Sequence, residues 1–103
     1  MSEMIPARRD PDRCPSHPGE LIEDLLLDLP LTKSELADRL ALSRQHIHAI
    51  LAGRKAVSPT VAAKLGKLFG DGPGVWLRMQ AAYDAWHAAR EVDVSDVRAL
   101  ETS

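Results

Sequence analysis

From Pro18 onward, apolar residues recur every three or four positions, which is the spacing of one face of a helix. No stretch alternates between apolar and polar residues for long enough to predict a strand. The sequence therefore predicts an all-α fold with a long C-terminal helix, and only weakly indicates a further short helix from Ser95. The five predicted helices cover about Pro18–Leu29, Lys33–Leu40, Arg44–Ala52, Pro59–Phe69 and Gly74–Arg90.

The 103-residue length suits one compact domain with a single core. Residues 1–16 contain three of the seven prolines and show no hydrophobic period, so we expect a flexible N-terminal arm there. We expect the helical domain to cover residues 17–91 and a short tail to cover residues 92–103.

Residues 32–53 have the pattern of a helix-turn-helix. Thr32 and Glu35 form a capping box at the start of the second helix, and Ser43 caps the third helix. Only three residues connect the two helices, so the helices must cross steeply and pack on each other. The alternative is a plain helical hairpin with a solvated polar face. The predicted core contacts come from Leu36, Ala37, Ile47, Ile50 and, on the last helix, Trp76.

When the isoleucines of the third helix face inward, Arg44, Gln45 and His48 face outward. A recognition helix presents such a face to base edges in the major groove. Arg44 is suited to bidentate pairing with guanine, and Gln45 to bidentate pairing with adenine. His48 donates or accepts a hydrogen bond according to its tautomer. We therefore predict that these three residues read bases of duplex DNA.

The charge distribution supports this interpretation, although the whole chain has a net charge of −2. Residues 33–67 contain seven basic and two acidic residues, and acidic residues predominate on both sides of this zone. Local clustering of positive charge matters more for phosphate contacts than the total does. The predicted phosphate contacts are Lys33, Ser43, Arg54 and Lys55.

Other classes of function have little support in the sequence. The four histidines and the single cysteine lack the spacing of a zinc site, so we expect no metal and no cofactor. There is no glycine-rich phosphate loop or nucleophile elbow, so we predict a protein that is not an enzyme and binds no small-molecule ligand. No apolar run is long enough to span a membrane, and a lone cysteine favours a cytoplasmic location.

The chain resembles a known family of DNA-binding proteins. TKSELADRLALSRQHIHAILAG at 32–53 resembles the helix-turn-helix of the phage-repressor and Cro-like superfamily. HPGE at 17–20, RKAVSPTVAAKLGKLFG at 54–70 and WLRMQAAYDAW at 76–86 are together similar to the HigA, or VapI-like, antitoxins. One departure is Ala41, which stands where most helix-turn-helix segments have glycine, and another is a longer N-terminal arm.

The resemblance implies a five-helix, lambda-repressor-like fold and two binding partners. One is double-stranded operator DNA, bound by a homodimer that represses its own operon. The other is a HigB-type toxin, a RelE-like ribonuclease that cleaves messenger RNA. The alternatives are a stand-alone repressor without a toxin and an interaction module that has lost DNA affinity. The residues we place in a dimer or toxin interface are Ala82, Ala85 and Trp86.

Overall fold

A computed structural model describes residues 12–101 of the chain. These residues form five α-helices and contain no strand, so the predicted all-α, five-helix architecture is confirmed. Residues 1–11 of the predicted arm and residues 102–103 of the predicted tail lie outside the described residues. The helices are α1 Pro18–Asp28, α2 Lys33–Leu40, α3 Arg44–Leu51, α4 Pro59–Phe69 and α5 Gly74–Glu91.

Side-chain caps set the starts of four helices. The predicted capping box is present, since Glu35 N–H donates to Thr32 Oγ1 at 3.1 Å and Thr32 N–H donates to Glu35 Oε1 at 2.8 Å. The hydrogen bonds from Thr32 lower the pKa of the Glu35 carboxyl. Ser43 Oγ accepts from the backbone of the third residue of α3, and Ser58 Oγ does the same for α4. His17 caps α1 through its ring.

The helix ends differ from the predicted ends by at most one residue. Leu29 is extended (φ −107°, ψ 147°) and lies outside α1, because a residue before proline is disfavoured in helical conformation. Ala52 caps α3, and α5 continues one residue further than predicted, to Glu91. The short helix suggested from Ser95 does not form. Ser95 N–H instead donates to Asp93 Oδ1 at 2.9 Å, and residues 95–96 form a turn.

The core lies where α2, α3 and α4 meet α1 and the first half of α5. All five residues predicted to make core contacts are buried there. Trp76 is fully buried, and its indole N–H donates to Asp71 Oδ1 at 3.1 Å. Gln80 accepts from the backbone N–H of Val57 at 2.8 Å, which satisfies a polar group inside the core. The buried apolar residues are Ile22, Leu36, Ala37, Leu40, Ile47, Ile50, Leu51, Val57, Val61, Ala62, Leu65 and Trp76.

The segment before α1 lies against the second half of α5. Cys14 Sγ is 3.5 Å from His87 Nε2, and His87 Nδ1 is 2.6 Å from a carboxylate oxygen of Glu91. Asp12 and Arg90 approach to 4.0 Å. The described part of the predicted arm therefore follows the long helix.

Candidate DNA-binding surface

The turn between α2 and α3 fixes how the two helices cross. Ala41 adopts the left-handed conformation (φ 54°, ψ 44°), and it is the only described non-glycine residue with positive φ. Its N–H donates to Asp38 O at 3.1 Å, and Leu42 N–H donates to Ala37 O at 2.9 Å. These bonds satisfy carbonyls at the end of α2. The departure from glycine thus leaves the turn geometry intact but places an alanine in a strained region.

The three residues predicted to read bases lie together on the exposed face of α3. Arg44, Gln45 and His48 are all exposed, whereas Ile47 and Ile50 on the opposite face are each 1% exposed. Arg44 and Gln45 lie in the first turn, directly after the cap at Ser43. In this arrangement guanidinium, amide and imidazole groups point away from the core along one exposed face of α3. Such groups can donate to and accept from base edges.

The residues predicted to contact phosphate lie on both sides of that face. Lys33 begins α2, and its Nζ is 3.2 Å from Glu23 Oε2, with both side chains 43% exposed. An exposed ion pair of this kind contributes little stability, about 0–1 kcal/mol, so a phosphate can replace the carboxylate at small cost. Ser43 is exposed, but its hydroxyl already caps α3. Arg54 and Lys55 are exposed in the loop that follows α3.

The loop that carries Arg54 and Lys55 has a defined backbone. Gly53 has φ +77°, the left-handed conformation predicted for the end of α3. The N–H groups of Arg54 and Lys55 both donate to Ala49 O, at 2.9 and 3.2 Å. Further along, the Val57 N–H is held by the Gln80 side chain. The two cationic side chains therefore project from a fixed backbone.

Additional positive groups converge near the turn. Lys64 Nζ on α4 is 3.4 Å from Ala41 O, which brings this lysine close to the helix-turn-helix. Partial burial, followed by repulsion from Lys55 and Lys64, lowers the pKa of the His46 imidazole. From its position in the sequence alone, Lys64 is a weaker candidate for a phosphate contact, because its spacing within α4 is equally typical of a solvated position. The positive surface is therefore broader than the sequence predicted.

The residues predicted for a protein interface lie on the second half of α5. Ala82 and Trp86 are half-buried, and Ala85 is exposed. The guanidinium carbon of Arg90 lies 3.9 Å from the centre of the Trp86 ring, in cation–π geometry. The Trp86 Nε1 atom is shielded from solvent and has no hydrogen-bond partner within residues 12–101. The structure thus brings these residues to one region of α5.

Two other features bear on function. Within residues 12–101, no group of three or more histidine, cysteine, aspartate or glutamate side chains is arranged to hold a metal ion. None of the helices in this part of the chain is both long and apolar enough to cross a membrane.

Comparison with known proteins agrees with this geometry. The helix-turn-helix family profile matches residues 22–77. The HTH-type transcriptional regulator YddM of Escherichia coli is 33% identical over 85 residues, which cover 82% of this chain and 90% of YddM. The structure also resembles an addiction module antidote protein of a HigA family from Coxiella burnetii, with a TM-score of 0.74 and 32% identity. That match covers 86% of this chain and all of the antidote protein.

A further solved structure is the Pseudomonas aeruginosa antitoxin HigA with the higBA promoter. Its TM-score is 0.71 and its identity 25%, over 82% of this chain and 96% of that one.

Proposed function

Because this chain belongs to the HigA group of the helix-turn-helix family, we propose that it is a DNA-binding antitoxin that represses its own operon. The observation that carries the proposal is the exposed face of α3, with Arg44, Gln45 and His48 side by side on a rigid, capped helix. A relative with the same fold is described with its promoter, which supports DNA as the ligand. A binding role of this kind requires no catalytic group and places the protein in the cytoplasm.

In the proposed complex, α3 enters the major groove with its N-terminal turn toward the bases. Arg44 pairs with guanine, Gln45 pairs with adenine, and His48 contacts a base further along the groove. Each good bidentate pair discriminates against the wrong base by about 1–3 kcal/mol. Sequence preference therefore resides in the first two turns of α3.

Phosphates are contacted from both sides of α3. Lys33 and the backbone N–H groups at the start of α2 contact phosphates of one DNA strand, and the dipole of α2 also favours an anion there. Arg54 and Lys55 meet the phosphates beyond the other end of α3. Ser43 contributes where its hydroxyl donates to a phosphate while still accepting the cap bond. These contacts set register and affinity and carry no sequence information.

One subunit contacts too few phosphates for high affinity, so we propose a symmetric dimer that binds a palindromic operator. Its two α3 helices would lie one helical turn of DNA apart, roughly 34 Å. Selecting duplexes from a random pool with the purified protein tests this directly. We expect an inverted repeat with half-site centres about 10 base pairs apart and strongly salt-dependent binding. Recovery of no preferred sequence, together with salt-independent binding, would reject the DNA-binding role.

The second partner in this proposal is a RelE-like, mRNA-cleaving toxin of the HigB type. The support is the likeness to an addiction module antidote protein of a HigA family. The test is co-expression of this chain with the product of the adjacent small basic reading frame. We expect the two proteins to form a stable complex, and we expect cells that express the toxin to resume growth when this chain is present. If the neighbouring product is absent or does not bind, the protein is a stand-alone repressor, which the helix-turn-helix supports equally well.

A further inference from the structure

An apolar groove of about 270 Å³ lies between the connection of α1 to α2 and the end of α4. Its walls are half-buried or exposed apolar side chains, and Arg39 is the one charged residue among those that line it. Phe69 packs against the buried Trp76 ring at a centroid distance of 5.8 Å, so the core supports this side of the groove. The six lining residues are Leu29, Pro30, Leu31, Arg39, Leu68 and Phe69.

The segment after α5 carries apolar side chains that the rest of the described chain does not cover. All of residues 91–101 are exposed, and Val94 and Val97 are 62% and 73% exposed. The backbone forms a turn here, in which Val97 N–H donates to Val94 O and Ser95 N–H donates to Asp93 Oδ1, both at 2.9 Å. A turn brings the Cα atoms of its first and fourth residues within about 7 Å, so the two valines lie close together. We call residues 93–97 the valine turn.

The charge of this segment is complementary to that of the groove. Residues 91–101 contain four acidic residues and one arginine, a net charge of −3, and two of the acidic residues, Asp93 and Asp96, belong to the valine turn. Residues 1–11, by contrast, contain two acidic and two basic residues and have no net charge. An acidic segment with adjacent apolar side chains therefore matches an apolar groove that contains an arginine better than the N-terminal arm does.

The path of α5 separates the valine turn from the groove of the same chain. Phe69 lies five residues before Gly74, where α5 begins, whereas the valine turn follows the other end of α5. The 18 residues of α5 rise by about 27 Å along the helix axis. The segment would have to reverse its direction to reach its own groove, whereas a second copy can present its groove to the segment as it stands.

We propose that the valine turn of one subunit docks in this groove of a second copy, with its two valines against the apolar walls and its carboxylates near Arg39. In a symmetric dimer the exchange is reciprocal, so two identical contacts hold the subunits together. Leu100 follows the valine turn and takes no part in the contact. The inference rests on the symmetric dimer of the proposed function but does not require DNA. It adds a defined contact to the interface predicted at Ala82, Ala85 and Trp86, after which the segment follows in the chain.

The first test measures the dissociation constant of the dimer by sedimentation velocity at low salt, where charges are least screened. Arg39→Glu places a like charge beside the acidic turn and should raise the constant about fivefold to tenfold. Asp96→Arg in the same chain should reverse most of this loss. Arg54→Glu is the matched control, because Arg54 is an exposed arginine that does not line the groove. Circular dichroism checks that each variant is folded, and equal effects of Arg39→Glu and Arg54→Glu would overturn the proposal.

Disulfide cross-linking between two differently tagged copies identifies the occupant of the groove. Both full-length chains carry Cys14→Ser, so that only the introduced cysteines react. Oxidation of Val97→Cys chains mixed with Leu31→Cys chains should give a covalent pair of unlike copies. Mixing Val97→Cys chains with Ala56→Cys chains is the control, because Ala56 is exposed and precedes α4, whereas the groove lies at the other end of that helix. We expect the control to give a much lower yield of unlike pairs.

A chain that carries both Val97→Cys and Leu31→Cys separates docking between copies from docking within one chain. Docking between copies predicts disulfide-linked dimers, whereas an internal disulfide in a monomer would overturn the proposal. A dimeric sample whose yield of unlike pairs is no higher than that of the control would also overturn it, and would leave the proposed DNA-binding function untouched. Conversely, a dimer that forms the cross-link but selects no DNA sequence would support the docking and reject the proposed function.

Discussion

Two parts of the chain differ in how completely they bury their apolar residues. We call residues 17–80 the body and residues 81–101 the C-terminal segment. All the buried apolar residues of the described chain lie in the body, between Pro18 and Trp76. In the C-terminal segment no residue is fully buried. Four apolar side chains there are 58–92% exposed: Val92, Val94, Val97 and Leu100.

The difference indicates that the body is complete on its own and that the C-terminal segment is not. The body buries an apolar face on every helix, whereas α5 buries residues only in its first half. Surfaces that meet another protein are typically contiguous exposed apolar patches, and these four side chains lie within nine residues of one another. This agrees with the predicted interface at Ala82, Ala85 and Trp86, which stays a prediction. Folding and DNA reading are therefore expected to depend on the body, and assembly on the C-terminal segment.

The largest contrast is expected between two leucine-to-alanine substitutions. Leu65 is fully buried and Leu100 is 92% exposed. Leu65→Ala should lower the free energy of unfolding by about 2–5 kcal/mol, since it leaves a cavity in the core. Leu100→Ala should change it by less than about 0.5 kcal/mol. Urea denaturation measures both, and similar losses would show that the C-terminal segment also packs into the folded monomer.

A second contrast concerns close packing inside the body. Gly19→Ala would place a Cβ atom 2.0 Å from Ile50 O, against a backbone that cannot move freely. We expect a loss of about 1–3 kcal/mol or more in unfolding free energy. Gly74→Ala is the matched control, because its Cβ would meet only the flexible end of Arg78. Thermal melting of both variants decides the matter, and a Gly19→Ala protein as stable as the control would disprove this account of α1 packing.

Removal of the residues after Arg90 separates assembly from folding. We expect the shortened chain to keep its helical circular dichroism spectrum. The dissociation constant of its dimer should rise at least about tenfold, which corresponds to a loss of about 1.4 kcal/mol in the free energy of association. Sedimentation velocity over a range of concentrations measures this. An unchanged dimer would show that the residues after Arg90 do not hold the subunits together, and loss of the helical spectrum would mean that folding also depends on those residues.

The smallest expected effect lies in the helix-turn-helix itself. Ala41→Gly should stabilise the protein by about 1 kcal/mol, because glycine adopts the left-handed conformation without the cost that alanine incurs. The measurement is the urea midpoint, with Ala52→Gly as control. Ala52 has negative φ, so glycine there should give no gain. A lower midpoint for Ala41→Gly would mean that the turn is not strained.

Local patterns were enough to predict most of the body. The capping box at Thr32, the cap at Ser43 and the glycine after α3 act over three or four residues, so the sequence reveals them directly. Contacts between distant segments were not predictable in this way. The packing of Gly19 on Ile50 and the approach of Lys64 to the turn depend on how helices cross. Whether the C-terminal apolar residues are buried or exposed likewise depends on which other segments pack against them.

The central claim is that the exposed face of α3 reads bases while the following loop contacts phosphates. The direct test is the ratio of affinities for the selected and scrambled duplexes, measured for Arg44→Ala combined with Gln45→Ala and, separately, for Arg54→Ala. The account predicts that the double variant lowers this affinity ratio by at least about tenfold. Arg54→Ala should leave the ratio unchanged, but its plot of log affinity against log salt concentration should have a slope smaller in magnitude by about one per subunit. A double variant with the wild-type ratio would contradict the account.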